Sequence, residues 1–277
     1  MDEVGVQSVS LALIRPRWLH DNETGFQELH CCPCRPAEVA YCFIVIVFAY
    51  TLRGGTGFGA AIAMPLLALV VPMKILVPAW SVLSVVAGID ILRRDYDKIA
   101  WADLMPLMPS CLLGIVLGLA FYKALDSPTL ARGLGVLVVL YGAFSLRASM
   151  RPPQDWQVPP KSIARLSGLI GGAVGTTFGA LTSLSFAMYF DAIRMPVDQF
   201  RATMSAALVA MGLVRGLGYF GLGEFTANVW LLLAITVPMT LIGIYLGNRI
   251  FAELNEMTFR RLVSVTLIIS GFALLVK

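Results

Sequence analysis

The sequence predicts an all-α fold: a polytopic transmembrane bundle of two homologous repeats, with about eight membrane segments and helices broken at glycine-rich motifs. Three observations predict it: a succession of long apolar runs, a charge content too low for a water-facing surface, and an ungapped internal duplication. The 277 residues are 58% apolar and 14% charged, with mean hydropathy +0.79. Soluble domains lie nearer about 45–50% apolar and about 25% charged. A soluble fold of this size cannot hide so much apolar surface, so its surroundings must be apolar too. A hydrocarbon core about 30 Å thick asks for about 20 apolar residues per helix, and only helices or closed barrels satisfy their backbone inside it. The runs here are continuous instead of alternating, which selects helices over barrel strands.

Residues 1–36 stand apart from the rest. They hold eight charged residues, both histidines and three of the five cysteines. The apolar run Val9–Ile14 is too short for a signal-peptide core, and the stretch reads as a disordered polar tail. Segment one follows at 37–71, interrupted by Arg53-Gly54-Gly55-Thr56-Gly57-Phe58-Gly59. As one helix it would span about 50 Å at 1.5 Å per residue, so the glycines are expected to break it. Segment two (75–93) contains Asp90, and the polar connection Arg93–Lys98 follows. Segments three and four are 102–122 and 129–147. A proline-rich linker, 148–162, leads to segments five to eight at 163–190, 200–220, 228–248 and 258–276. The domains expected are thus the tail, repeat one (37–147), the linker and repeat two (163–277).

The duplication is direct. Residues 101–146 align with 230–275 without a gap, and fourteen of the 46 positions are identical. They include Trp101 and Trp230, Pro109 and Pro238, Gly114 and Gly243, and Gly118 and Gly247. Matched Pro, Gly and Trp positions are not explained by shared hydrophobicity. Upstream, Phe58-Gly59-Ala60 aligns with Phe178-Gly179-Ala180, and Lys74 with Arg194. Secondary transporters are built from such repeats, with the solute bound where the broken helices of the two halves meet.

The candidate binding residues follow from that architecture. The first glycine cluster supplies Gly55, Thr56, Gly57 and Gly59; the second, Gly171–Gly179, supplies Gly172, Gly175, Thr176, Thr177 and Gly179. Glycine lets a helix unwind. A helix start beyond the break presents free amides and a partial positive charge to an anion. Threonine hydroxyls add donors. The competing reading is close helix packing through small residues. Charges inside apolar runs are few: Arg53, Asp90 and Arg215. The two arginines are candidates for meeting an anion, and Asp90 for proton or counter-charge coupling, with snorkelling to the interface as the alternative for Arg53 and Asp90.

Other chemistries find little support. The tail motif His30-Cys31-Cys32-Pro33-Cys34 has metal-ligand residue types but no second cluster to close a site, so no metal and no cofactor are expected. A Walker A lysine motif, an HExxH pair and a GxSxG elbow are missing, and the chain is not expected to be an enzyme. A net charge of +4, carried mostly in connections, does not point to nucleic acid.

These residues resemble the sulfite exporter TauE/SafE family of membrane permeases. The likeness spans about 39–277. It rests on the glycine motif at 54–59 followed by Met64-Pro65-Leu66-Leu67, on its recurrence at Gly171–Gly179, and on Leu113–Gly118 echoed at Ile242–Gly247. Two departures stand out: Ala60 and Ala61 follow Gly59 where the family often carries further glycine, and no proline follows the second motif. The resemblance implies export or uptake of sulfur oxoanions and organosulfonates across the bacterial inner membrane. Gly55, Gly57, Gly59, Pro65, Gly172, Gly175 and Gly179 are its motif positions. The partners implied are a small anionic solute and the lipid bilayer, and a homo-oligomer is compatible with both. The alternative function is a non-transporting scaffold or assembly subunit for another membrane protein. With eight spans, the two faces carry nearly equal Lys and Arg, so the chain's orientation stays open.

Overall fold

Helices whose outward faces are lined with leucine, valine and phenylalanine can be stable only against lipid or one another. The computed structural model of the protein has that character. It describes residues 36–56, 60–148, 160–179, 181–250 and 256–276, without side-chain detail at some helix ends. All of these belong to the unit Cys32–Lys277. The polar tail and most of the proline-rich linker lie outside the described residues.

The described residues form α-helices and no strand: α1 (Pro36–Thr56), α2 (Ala60–Leu67), α3 (Met73–Arg94), α4 (Trp101–Leu104), α5 (Met108–Ala124), α6 (Ser127–Ala148), α7 (Pro160–Phe178), α8 (Thr182–Ala192), α9 (Val197–Gly221), α10 (Ala227–Ile250) and α11 (Glu256–Val276). Among them four stretches are long and apolar enough to cross a bilayer: Met73–Arg94, Ser127–Phe144, Asp198–Gly221 and Ala227–Gly247. Val39–Thr51, Met108–Ala124 and Thr266–Val276 are shorter apolar helices. On α5, Leu112, Leu113, Val116, Leu117 and Phe121 are exposed, the surface a bilayer would cover.

Segments one and five are each represented by two helices, α1 with α2 and α7 with α8, and the second pair divides at Gly179. Segment three also divides, which the sequence pattern missed. Pro106 and Pro109 both lack an amide, and α4 ends before them, whereas α10, with the single Pro238, runs on unbroken.

Glycines set the closest helix contacts. A Cβ on Gly114 would lie 2.8 Å from the Ala173 amide nitrogen, and one on Gly172 would lie 3.0 Å from the Gly114 Cα. So α5 and α7 touch backbone to backbone, running parallel. The aligned helix α10 packs in the same parallel way on α1: a Cβ on Gly243 would meet the Val47 carbonyl at 2.9 Å, and one on Gly247 the Thr51 carbonyl carbon at 3.0 Å. α3 and α9 cross antiparallel, with Gly212 against Ser81 and Ser84 and Gly88 against Ser205 and Val209. α6 and α11 are antiparallel at Gly135 and Gly271.

These pairings define two ends. At one, Lys74 Nζ donates to the Tyr122 carbonyl at 2.7 Å, and the Met73 amide donates to Ser127 Oγ at 2.9 Å. The starts of α3 and α6 and the end of α5 meet here. At the other, the Ala100 amide donates to Thr203 Oγ1 at 3.0 Å and Tyr189 to the Asp103 carbonyl at 3.1 Å. Consequently α5 runs toward the Lys74 end, while α10, which shares its Pro and Gly pattern, runs away from it. Arg93, Arg94, Lys98, Arg165, Arg194 and Arg201 lie at the second, Arg94 end; Lys74, Lys123 and Arg132 lie at the first. Among the described residues the helix directions thus give six at one end and three at the other, where eight simple spans led to a near-equal split. Each broken pair reverses the chain within part of the bundle, so connections assigned to opposite faces fall on one.

Candidate functional site

α7 stops at Phe178 because the next residues adopt left-handed backbone: Gly179 has φ 74° and Leu181 φ 70°. Glycine takes that conformation freely, whereas leucine does so under strain. α8 restarts at Thr182. A Cβ on Gly179 would press on the Met64 side chain of α2, so the second break sits against the short helix that follows the first.

A helix that ends inside the bundle leaves its last carbonyls without intrahelical donors. Here α9 adds a donor to two of them, the Thr176 carbonyl and the Gly175 carbonyl, the latter also accepting from the Gly179 amide at 3.0 Å. Arg215 is only 4% exposed, and its Nη1 donates to the Gly175 carbonyl at 3.0 Å. Its Nη2 donates to Ser84 Oγ of α3, also at 3.0 Å. One turn further along α9, the Tyr219 hydroxyl donates to the Thr176 carbonyl. A guanidinium at a helix C-terminus also offsets the negative end of the helix dipole. Arg215 thus ties α3, α7 and α9 together at the break.

The glycine residues named from the sequence divide by role. Gly172 and Gly175 do not unwind; they remain in α7, Gly172 against α5 and Gly175 against the Thr182 side chain. The atoms that the last turn of α7 turns toward Arg215 are carbonyl oxygens, so the expectation of free amides from an unwound Gly171–Phe178 is corrected. The helix holds because its small residues allow backbone contact with α5, and that contact outweighs glycine's preference for disorder. Gly179 alone among the second-cluster candidates forms the break. Thr177 Oγ1 is satisfied internally, by the Ala173 carbonyl at 2.9 Å and the Gly118 carbonyl at 3.3 Å. Thr176 differs: its Oγ1 is fully buried and has no hydrogen-bond partner among the described residues.

In the first half, Arg53, Gly55 and Thr56 fall in the last turn of α1, and Asp90 in the second half of α3, but their side chains lie outside the described detail. Gly57 and Gly59 lie outside the described residues, as does the tail motif His30–Cys34. No group of metal ligands occurs among the described residues.

The sequence pattern did not single out Ser84 or Tyr219. The signal for Ser84 was present, since Ser81, Ser84 and Gly88 recur at helical spacing in the apolar middle of α3, and Gly212, Arg215 and Gly216 on α9 answer them. Nothing in the spacing marked Tyr219.

The profile of the family described as "Sulfite exporter TauE/SafE" matches residues 42–274, nearly the whole described bundle. The chain belongs to the sulfite exporter TauE/SafE family. Two of its relatives are a probable inner membrane transporter protein, TsaS of Comamonas testosteroni, and a probable sulfite/organosulfonate exporter, TauE of Cupriavidus necator. The chain is 24% identical to the first over 184 residues, 65% of this chain and 74% of that protein. To the second it is 26% identical over 181 residues, 65% of this chain and 68% of that protein. No solved structure matches the chain. As a TauE/SafE member, the chain is an anion permease of the inner membrane.

Proposed function

We propose that the chain is a secondary transporter of small sulfur oxoanions, sulfite or an organosulfonate, and that Arg215 is the group that meets the anion. The observation that carries this reading is the burial of Arg215 at the break between α7 and α8. A charge at membrane depth costs about 2.5–3.5 kcal/mol on insertion scales and tends to mark a solute pathway. The planar guanidinium fork matches two oxygens of an oxoanion, which a lysine cannot do. The buried Thr176 hydroxyl gives a donor on the same turn of α7 that an anion oxygen would satisfy. The substrate class comes from the names of the relatives.

The binding group also suggests how binding becomes motion. An anion arriving at Arg215 competes with the Gly175 carbonyl for the guanidinium. Success leaves the Gly175 carbonyl with the Gly179 amide alone, and the break at Gly179 is then free to move. The opposed directions of α5 and α10 support two inverted repeats, 37–147 and 163–277, joined by the 148–162 linker, and alternating access would come from one rocking against the other. On this reading the first break, with Arg53, Gly55, Thr56, Gly57 and Gly59, is the counterpart of the second. Gly172 and Gly175 act through packing, Thr177 by holding α7 to α5, and Asp90 is the coupling residue. The Lys and Arg excess at the Arg94 end among the described residues supports a cytoplasmic position for that end.

Flux of labelled sulfite into proteoliposomes, under imposed pH and voltage gradients, tests the proposal. Arg215→Ala should abolish it. Unchanged flux in a folded Arg215→Ala protein would remove Arg215 from the mechanism, and no flux of any sulfur oxoanion in the unaltered protein would end the substrate assignment.

A further inference from the structure

Between Arg215 and the Lys74 end stand two tyrosines whose side chains are wholly buried, Tyr219 and Tyr122. Their rings meet edge to face with centroids 5.0 Å apart. Tyr219 is one turn beyond Arg215 on α9, so a solute leaving the Arg215 centre toward this end meets the pair first.

The pair is held from outside by two charges. Lys74 Nζ donates to the Tyr122 carbonyl and sits 4.2 Å from the centre of the Tyr122 ring. The Tyr122 hydroxyl reaches two acceptors, the Lys74 carbonyl at 3.0 Å and Glu224 Oε2 at 3.3 Å. A phenol has one proton, so the two acceptors compete for it. Glu224 is half-buried in the turn between α9 and α10, and its amide donates to the Tyr219 carbonyl at 3.0 Å. The carboxylate that touches one tyrosine is therefore tied to the backbone of the other. That turn has room to move: Gly223 has φ 76°, and neither Gly221 nor Gly223 has a neighbour within 4 Å of where a Cβ would sit.

We propose that Tyr122 and Tyr219 are the outer gate of the pathway, and that the Glu224 carboxylate latches it as a tethered stand-in for the transported anion. The proposal rests on the reading of Arg215 as the anion centre. A mobile anion drawn to Lys74 offers Tyr122 the same kind of acceptor that Glu224 provides, and its like charge repels Glu224. Displacing Glu224 leaves the Tyr122 hydroxyl with the Lys74 carbonyl alone and pulls on the turn that is tied to the Tyr219 backbone. Binding at the mouth and opening of the aromatic pair are then one event.

The full chain in spheroplasts tests this through its own thiol. Cys111 is buried on α5, its backbone against Gly172, about one turn before the Gly175 that Arg215 bonds, so it reports whether the centre is reached from outside. An impermeant, negatively charged maleimide is added outside, and modification of Cys111 is read by peptide mass spectrometry. Glu224→Gln should raise the rate about tenfold, as expected when a closed state loses one charge-assisted hydrogen bond. Tyr219→Ala should raise it further, while Glu224→Asp, which keeps the charge, should stay near the unaltered protein. Equal rates for Glu224→Gln and the unaltered protein, both monodisperse in detergent, overturn the latch. Fast labelling of the unaltered protein overturns the gate. Sulfite flux measured in parallel separates the two readings: if Cys111 responds as expected while flux is missing, the gate stands and the substrate assignment falls.

Discussion

Arg215 Nη1 on α9 donates to the carbonyl of Gly175 on α7 at 3.0 Å, three residues before α7 ends. The charge buried in the bundle thus bonds the last turn of a broken helix, and on the proposed function it also holds a cation where an anion can reach it. Lysine and arginine separate these roles. Lysine keeps the positive charge at the helix C-terminus but cannot bond Gly175 and Ser84 with a rigid fork. Arg215→Lys should therefore fold, and its kcat/KM for sulfite should fall at least about tenfold, the effect of losing one charge-assisted hydrogen bond. Arg215→Ala should lose flux entirely. Flux assays paired with melting curves in detergent check both. Full activity in Arg215→Lys would mean that charge alone suffices.

The contact between α5 and α7 leaves no room for a methyl group. A Cβ on Gly172 would lie 3.0 Å from the Gly114 Cα and 3.1 Å from the Ile115 amide nitrogen, and backbone cannot step aside as a side chain can. Gly172→Ala should destabilise the protein by about 1–3 kcal/mol, the usual range for overpacking. Gly221→Ala, with nothing within 4 Å, should change stability little. Thermal unfolding of the two variants side by side is the measurement. Equal melting temperatures would show that α5 and α7 are not in backbone contact.

The same contact accounts for what was legible in the sequence. The glycines at 114, 118, 172 and 175 are visible as a pattern, but glycine serves both breaks and close packing, and only the partner helix decides which. At Gly179 the backbone angle made it a break; at Gly172 the approach of α5 made it a packing site. Arg215 was legible because a charge deep in an apolar run is costly to insert and so marks itself. Ser84 and Tyr219 were not, since a serine or tyrosine in an apolar helix is common. Their importance comes from distant parts of the chain, 131 residues away for Ser84 and 43 for Tyr219. The split of α4 from α5 depended on whether Pro106 and Pro109 act together, which periodicity does not reveal. Charge at the two ends could be sorted only after the helix directions were known.

Acid should weaken the start of α6. The Thr129 hydroxyl beside Asp126 holds its carboxyl below the ordinary carboxylate range, with help from local backbone amides and Arg132. A lowered folded-state pKa means that the ionised carboxylate is favoured by folding. Its contribution is complete above the unfolded value of about 3.9. It disappears as pH falls through the lower folded value. Asp126→Ala should thus melt below the unaltered protein at neutral pH, and the gap should close in strong acid. A gap that is constant with pH would show that Asp126 acts through shape alone.

The proposed orientation can be read chemically. Among the described residues Lys and Arg gather at the Arg94 end, and the positive-inside bias would put such connections in the cytoplasm. The α9–α10 turn, with Glu224, then faces outward, and so does the end of α11, which runs antiparallel to α6. Tyr96 and Leu222 are exposed at opposite ends, 57% and 37%, and neither touches the Arg215 centre. In intact spheroplasts an impermeant maleimide should label Leu222→Cys at once and Tyr96→Cys only after the membrane is permeabilised, read at the level of individual peptides. The reverse pattern would put the tyrosine pair on the cytoplasmic side, and labelling of both from outside would mean that the two connections do not lie at opposite ends of the bundle.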